Sequence, residues 1–355
     1  MSPEFLAELK GRGQLVTDYI LNYPAIAQIA PDYLREGVTF YVRKGGKRLR
    51  PALVMWACEL AGGTTEMALP AAAAIELSHT WTLVHDDIID NDDLRRGSPS
   101  MHAYYRQTWR DQVGEENLES WSRNLAMLVG DIQQALAISM LNTSKSIDPA
   151  ITQWLVNNLT TSWTTEVLNG EMLDMEFSIQ PWEQVSEAQI LDMLDKKTAS
   201  TLAWCGRAGA LIGLGKLDLE NQLVKSIETI CRQAGLAFQL QDDILGLLGN
   251  EAELGKPVGS DIREGKKTIM AAHVYARTDA AGKELIKRVL GSRAASSLDI
   301  KEVTDLLVQS GGVDYTQQLA TGYIQQAQAL LANLPDSPAK QYFKEWIDFI
   351  IERSF

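Results

Sequence analysis

Apolar residues recur at three- and four-residue spacing along most of this chain, the period of a helix with one buried face. Leu53, Trp56, Ala57 and Leu60 form one such stripe. Ile190, Met193 and Leu194 open a second, and Ile286, Val289 and Leu290 a third. The alternation expected of strands is weak. Breaks fall at Gly45-Gly46, Gly62-Gly63, Gly249-Asn250, Gly311-Gly312 and between Pro335 and Pro338, where glycine and proline punctuate the pattern. The pattern predicts an all-α protein, roughly a dozen helices in one antiparallel bundle. No Pro/Ser-rich linker divides residues 1–355, so a single domain is expected. One stretch looks inserted: Tyr104 to Arg123 is polar and carries tryptophan between two strongly patterned segments. A loop, an extra helix and a partner surface all fit it.

Composition narrows the function. Hydrophobic residues make up 45% of the 355, enough for a large core. The net charge of -13 argues against nucleic acid as a partner, because phosphate backbones need a basic face. If so acidic a chain binds phosphates, it needs clustered Lys and Arg, bound cations, or both. Cys58, Cys205 and Cys231 are far apart and read as buried thiols of a cytoplasmic protein. The four histidines lack HExxH spacing, which argues against zinc. The opening MSPEFLAELKGRG lacks the basic end and apolar core of a secretory leader. No uninterrupted apolar run reaches about 18 residues, so no membrane span is expected.

The most informative segment is HDDIIDNDDLRRG, His85 to Gly97, with aspartates at 86, 87, 90, 92 and 93. On a helix Asp86 and Asp90 share a face one turn apart, where like charges repel. A solvated acidic face explains this poorly, because Ala71 to Val84 just upstream is among the most apolar parts of the chain. Carboxylates at the end of a buried helix suggest a hard cation, and oxygen ligands favour magnesium or calcium. Without a DxDxDG calcium loop, magnesium with phosphate is preferred. A second acidic pair, Asp242-Asp243, also ends an apolar helical pattern. Alone it would pass for surface; beside the first cluster it is a candidate second wall of the same metal site.

Basic groups accompany the acids. In GGKRLRP, Gly45 to Pro51, glycines allow close approach of a phosphate while Lys47, Arg48 and Arg50 supply charge. Arg95-Arg96 follows the aspartates directly, and Lys197, Lys256, Arg263, Lys266 and Lys267 are scattered further on. Acids for magnesium beside bases for phosphate oxygens are what two diphosphates would need.

With these residues in view, the chain resembles the trans-isoprenyl diphosphate synthases, the polyprenyl synthetase family. The resemblance runs from about Gly45 to Arg353 and follows family order: GGKRLRP, IELSHTWTLVHDDIIDNDDLRRG, LVGD (Leu128 to Asp131), GEMLD (Gly170 to Asp174), KTA (Lys197 to Ala199), FQLQDD (Phe238 to Asp243) and GKPVGSDIREGKKT (Gly255 to Thr268). It implies an all-α bundle around a deep central cavity, a homodimer, and about three magnesium ions per active site. Asp86, Asp90 and Asp242 would be the metal ligands. Arg95, Lys197 and Lys256 would hold the allylic diphosphate, and Lys47, Arg50, His79 and Arg96 isopentenyl diphosphate. Thr198 and Gln239 would line the path of the developing cation, with Asp261 and Lys266 supporting the second wall.

Three features depart from the family pattern. Gly246 stands where many members have a third aspartate, and activity is expected to survive that change. Glu171 stands where Gln is common. The Tyr104–Arg123 stretch has no counterpart. For product length, the resemblance places a length-setting aromatic at Trp81, five residues or about 7.5 Å before Asp86. Together with the small Thr82, it points to the twenty-carbon geranylgeranyl diphosphate, with the fifteen-carbon farnesyl product as runner-up. A terpene cyclase of the same broad fold would need Asn/Asp, Ser/Thr and Glu at four-residue steps, which Asp242, Gly246 and Asn250 do not offer. A non-catalytic regulatory subunit would be expected to lose first-cluster aspartates, and all are present.

Overall fold

The computed structural model describes residues 2–95, 97–249, 259–292 and 294–352. Helices dominate, in this order: α1 (Pro3–Leu21), α2 (Pro24–Ala27), α3 (Asp32–Lys44), α4 (Leu49–Leu60), α5 (Thr65–Asp90), α6 (Met101–Thr108), α7 (Glu115–Asn142), α8 (Pro149–Asn157), α9 (Thr164–Ile179), α10 (Glu187–Leu194), α11 (Ser200–Leu214) and α12 (Gln222–Leu248). After them come α13 (Ser260–Glu264), α14 (Ile269–Arg277), α15 (Ala280–Val289), α16 (Ser297–Gln309), α17 (Gly312–Ala332) and α18 (Pro338–Glu352). Among the described residues the only sheet is a two-stranded hairpin, β1 (Leu94–Arg95) and β2 (Ser98–Pro99). The all-α expectation holds.

Two compact units emerge, each assembled from three segments. The first holds residues 1–160, 205–225 and 335–343, the second 161–204, 226–334 and 344–355. No single cut of the chain would separate them, so no linker signal exists to be read.

In the first unit, Phe5, Trp56 and Phe343 are wholly or almost wholly buried, and Trp56 stacks on Tyr342 with centroids 5.6 Å apart. Small residues let helices approach: a Cβ on Gly209 of α11 would stand 2.2 Å from the Val54 carbonyl oxygen of α4. By length and composition α7 could cross a membrane, but half of its apolar window is buried. Leu125, Ala126, Val129, Leu136 and Met140 are among its buried residues, as for a helix with one apolar face packed inside a unit. The second unit is centred on Ile244, Leu247, Met270, Val274, Ile286, Val303 and Leu307. Side chains start its helices: Ser186 and Ser296 each form a reciprocal cap with the residue three places on, Gln189 and Asp299. All three cysteines are buried free thiols. Burial pushes the Cys58 thiol up to about 12.

Candidate active site

Five aspartates look alike in the sequence; the end of α5 sorts them. Asp87 is fully buried, while Asp86 and Asp90 are half-buried. Asn91, at a left-handed φ of 59°, stops the helix. The short hairpin then turns back, with Gly97 at φ 70°, a conformation that glycine tolerates without a Cβ penalty. This return brings Arg95 onto the carboxylates: its guanidinium lies 3.0 Å from Asp86 and closer to Asp87. Tyr41 of α3 donates its hydroxyl to Asp87 from the other side and accepts the Met101 amide at 3.0 Å. Burial pushes the Asp87 carboxyl up to about 6, against the pull of Arg95. Burial works against the Arg95 cation too, but Asp87 and Asp86 outweigh it and raise its pKa. Asp87 therefore supports from within, and Asp86 and Asp90 are the outward pair.

The glycine-led basic segment also divides. Lys47 is exposed and Arg50 half-buried, whereas Arg48 is buried. Arg48 pairs with Glu76 of α5 and donates to the Val42 carbonyl at 2.6 Å. Its charge is spent inside the protein, so the expectation that it helps hold a phosphate is corrected. Arg50 and His79, both expected at the isopentenyl site, do meet: guanidinium Nη1 is 3.1 Å from imidazole Nε2. An arginine cannot accept, so His79 Nε2 accepts and the ring proton sits on Nδ1. Trp81 is 7% exposed and packs edge-on against His85, centroids 5.7 Å apart. Gly130 of α7, from the LVGD segment, makes room for both, since a Cβ there would stand 2.8 Å from His85 and 3.2 Å from Trp81. Thr82 donates its hydroxyl to the His79 carbonyl at 2.8 Å.

In the second unit, Asp195–Ala199 widens into a π-helical turn between α10 and α11 and carries Lys197 and Thr198. Such turns are rare and frequent at functional sites. A glycine on α9 permits the approach: a Cβ on Gly170 would stand 2.4 Å from the Lys197 amide nitrogen. Lys197 Nζ lies 2.7 Å from both Glu171 and Asp174. Glu171 thus adds a charge pair where a Gln would offer only a neutral acceptor. Thr198 donates to Gln239 at 2.8 Å, and Gln239 donates on to Asp243 at 2.9 Å. Asp243 is pushed up to about 8, chiefly by burial, then by Asp261, with Asp242 and Asp174 adding to it. Gly246 sits against Asp261, whose Oδ2 would be 2.7 Å from a Cβ there. Lys266 is half-buried and pairs with Glu264 at 2.8 Å. Lys267 is buried and caps α9 by donating to the Phe177 and Gln180 carbonyls, the latter at 2.9 Å. It is therefore a structural lysine and not a phosphate ligand. Arg96 and Lys256 lie outside the described residues.

Sequence reading missed Tyr41 and Asp174 as partners of the site. Asp174 was within reach, since it closes the GEMLD segment. Tyr41 lies 46 residues from Asp87 and shares no local pattern with it. Among the described residues no three His, Cys, Asp or Glu side chains gather closely enough to hold a metal by themselves. Magnesium is held by oxygen ligands, one or two carboxylates with phosphate oxygens and water completing the shell. The donor set is all-oxygen, and its crowded carboxylates are ones a cation would relieve.

The chain is similar to known proteins over nearly its whole length. The polyprenyl synthetase family model matches residues 31–307. A geranylfarnesyl diphosphate synthase of Aeropyrum pernix is 31% identical over 344 residues, 96% of this chain and 99% of that protein. The crystal structure of a geranylgeranyl pyrophosphate synthetase from Pyrococcus horikoshii is 32% identical, with a TM-score of 0.85 and 99% of each chain covered. A geranylgeranyl pyrophosphate synthase from Corynebacterium glutamicum, solved with isoprenyl diphosphate and magnesium, is 27% identical with a TM-score of 0.85, again over 99% of each chain. The chain belongs to the polyprenyl synthetase family and is a trans-prenyltransferase.

Proposed function

We propose that this enzyme condenses isopentenyl diphosphate with an allylic diphosphate and releases geranylgeranyl diphosphate. The observation that carries the reading is the end of α5: two half-buried carboxylates, Asp86 and Asp90, over the buried Tyr41 and Asp87, with Arg95 half-buried beside them. Asp86, Asp90 and Asp242 are assigned as ligands of magnesium, about three ions per site. Magnesium, when bound, supplies charge to the departing diphosphate. Arg95, Lys197 and Lys256 hold that diphosphate; Lys47, Arg50, His79 and Arg96 hold isopentenyl diphosphate. Lys266, with Asp261, supports the second carboxylate group. The allylic carbon–oxygen bond breaks, the isopentenyl double bond forms the new carbon–carbon bond, and the proton leaves to the diphosphate. Thr198 and Gln239 line the path of the developing cation, where water must be excluded. Trp81 and Thr82 set the length of the product. The names of the Pyrococcus and Corynebacterium relatives favour twenty carbons, and that of the Aeropyrum relative shows how near twenty-five lies.

The purified chain, alone with radiolabelled isopentenyl diphosphate, an allylic primer and magnesium, should make a product that chromatographs at twenty carbons. Asp86→Ala or Asp90→Ala should lower turnover by several orders of magnitude with the fold intact. Excess chelator should stop the reaction; full activity in its presence sinks the metal assignment. A chain inactive alone would favour the regulatory reading, and a cyclic hydrocarbon the cyclase.

A further inference from the structure

The polar Tyr104–Arg123 stretch is used by none of the assignments above. It comprises most of α6, a turn and the first turns of α7, and its charges converge on the carboxyl end of α5. Arg123 donates from Nη1 to the Ile88 carbonyl at 3.4 Å, from Nη2 to the Asn91 side-chain oxygen, and from Nε to Glu119 at 2.7 Å. Glu119 also accepts from Arg106 at 2.9 Å, and Arg106 pairs with Asp93 at 2.6 Å. His102 lies 3.3 Å from the same Asp93. The hydrogen bonds from Arg123 and Arg106 hold the Glu119 carboxyl below its ordinary range.

A helix ends in unpaired carbonyls with partial negative charge, so cations there are stabilising. The last turn of α5 carries Asp87 and Asp90 and no basic residue. Repulsion between its carboxylates and the helix end destabilises that turn. Arg95 lies on Asp86 and Asp87, and Arg123 supplies, from another helix, a second cation at the backbone end itself. Its contacts fall on Ile88, between Asp86 and Asp90, and on Asn91, which stops the helix.

We infer that Arg123, oriented by Glu119, is a positioning residue: it caps the last turn of α5 and fixes the spacing at which Asp86 and Asp90 meet a divalent cation. The inference rests on the assignment of those aspartates as metal ligands. The side chains of the brace are between 31% and 56% exposed, and exposed pairs of this kind add little to global stability. The loss on breaking it therefore falls on the metal site and spares the melting temperature of the metal-free protein.

The test uses Arg123→Gln and Glu119→Gln in the full chain. The first readout is the magnesium concentration that gives half-maximal thermal stabilisation with inorganic diphosphate. The second is the magnesium half-saturation of turnover. Both should rise about tenfold, the lower end of what removing a support of a metal ligand costs. Lost turnover should return as magnesium is raised. Arg123→Lys, which keeps the charge without the fork, should fall between. Wild-type magnesium dependence in both Gln variants overturns the inference. So does metal-free melting that drops in step with the magnesium shift, since that marks a scaffold role alone. Asp86→Ala is the control and should lose the magnesium-dependent stabilisation altogether. If it keeps it, the metal assignment fails and takes the inference with it. If it loses it while Arg123→Gln behaves as wild type, the inference alone fails.

Discussion

Arg48 shows what a single residue does when its neighbours are chemically alike. It takes a left-handed φ of 50° immediately before α4 and buries its guanidinium against Glu76. Removing one partner of a buried pair leaves a charge without compensation, at about 3–5 kcal/mol. Glu76→Leu should therefore lower unfolding free energy by about that much in a denaturant titration, and the double change Arg48→Met/Glu76→Leu should recover most of it. Equal destabilisation of the double and single variants would show that packing, not charge, dominates. Lys47, Arg48 and Arg50 were legible as a basic cluster, but their division was not. It depends on one backbone rotation at Arg48, which carries no sequence signature because non-glycine residues rarely adopt it.

At the scale of elements, α5 was the most legible part of the chain. Its apolar run and its acidic end followed from spacing, whereas the length-setting place of Trp81 came from the resemblance. The neighbours of Trp81 did not, because Gly130 lies on another helix and contributes only by lacking a side chain. Each five-carbon unit adds roughly one helical turn of length, about 5.4 Å, so under the proposed function an indole one to two turns before Asp86 would act as a floor. Trp81→Ala should shift the product to twenty-five carbons or longer with little change in the KM for isopentenyl diphosphate. The indole also fills space beside His85 and Gly130, and such truncations cost about 3–5 kcal/mol; folding must be checked by circular dichroism. An unchanged product spectrum from a folded, active variant would place the floor elsewhere. The π-helical turn under Lys197 was not legible either: its residues read as ordinary helix, and only the packing at Gly170 shows the extra width.

Across the whole molecule, helical period revealed the all-α class and charge clustering suggested a cation with phosphates, because both are written in short-range spacing, while the reaction itself came from the resemblance. Partners distant in sequence, such as Tyr41 under Asp87, were beyond that kind of reading. The resemblance implies a homodimer, which would cover apolar residues such as Leu168, Met172, Met175 and Ile179, exposed at helical spacing on α9. Light scattering should give about twice the 39.3 kDa chain mass; a monomer at assay concentration would reject it. Gly246 lies against the Asp261 carboxylate. A motif counts letters along a line, and by that count this chain is one acid short. In space a different stretch of the chain already stands there, because Asp261 Oδ2 occupies the volume into which a side chain at 246 would grow. The two positions then compete for one seat. Restoring the familiar letter by Gly246→Asp should lower turnover, since the Asp261 carboxylate must swing aside against a like charge. Adding Asp261→Ala should return part of the loss, by moving the acid from one strand of the sequence to another without changing their number. A Gly246→Asp enzyme as fast as wild type, or a double variant slower than either single one, would show that the two carboxylates are not interchangeable.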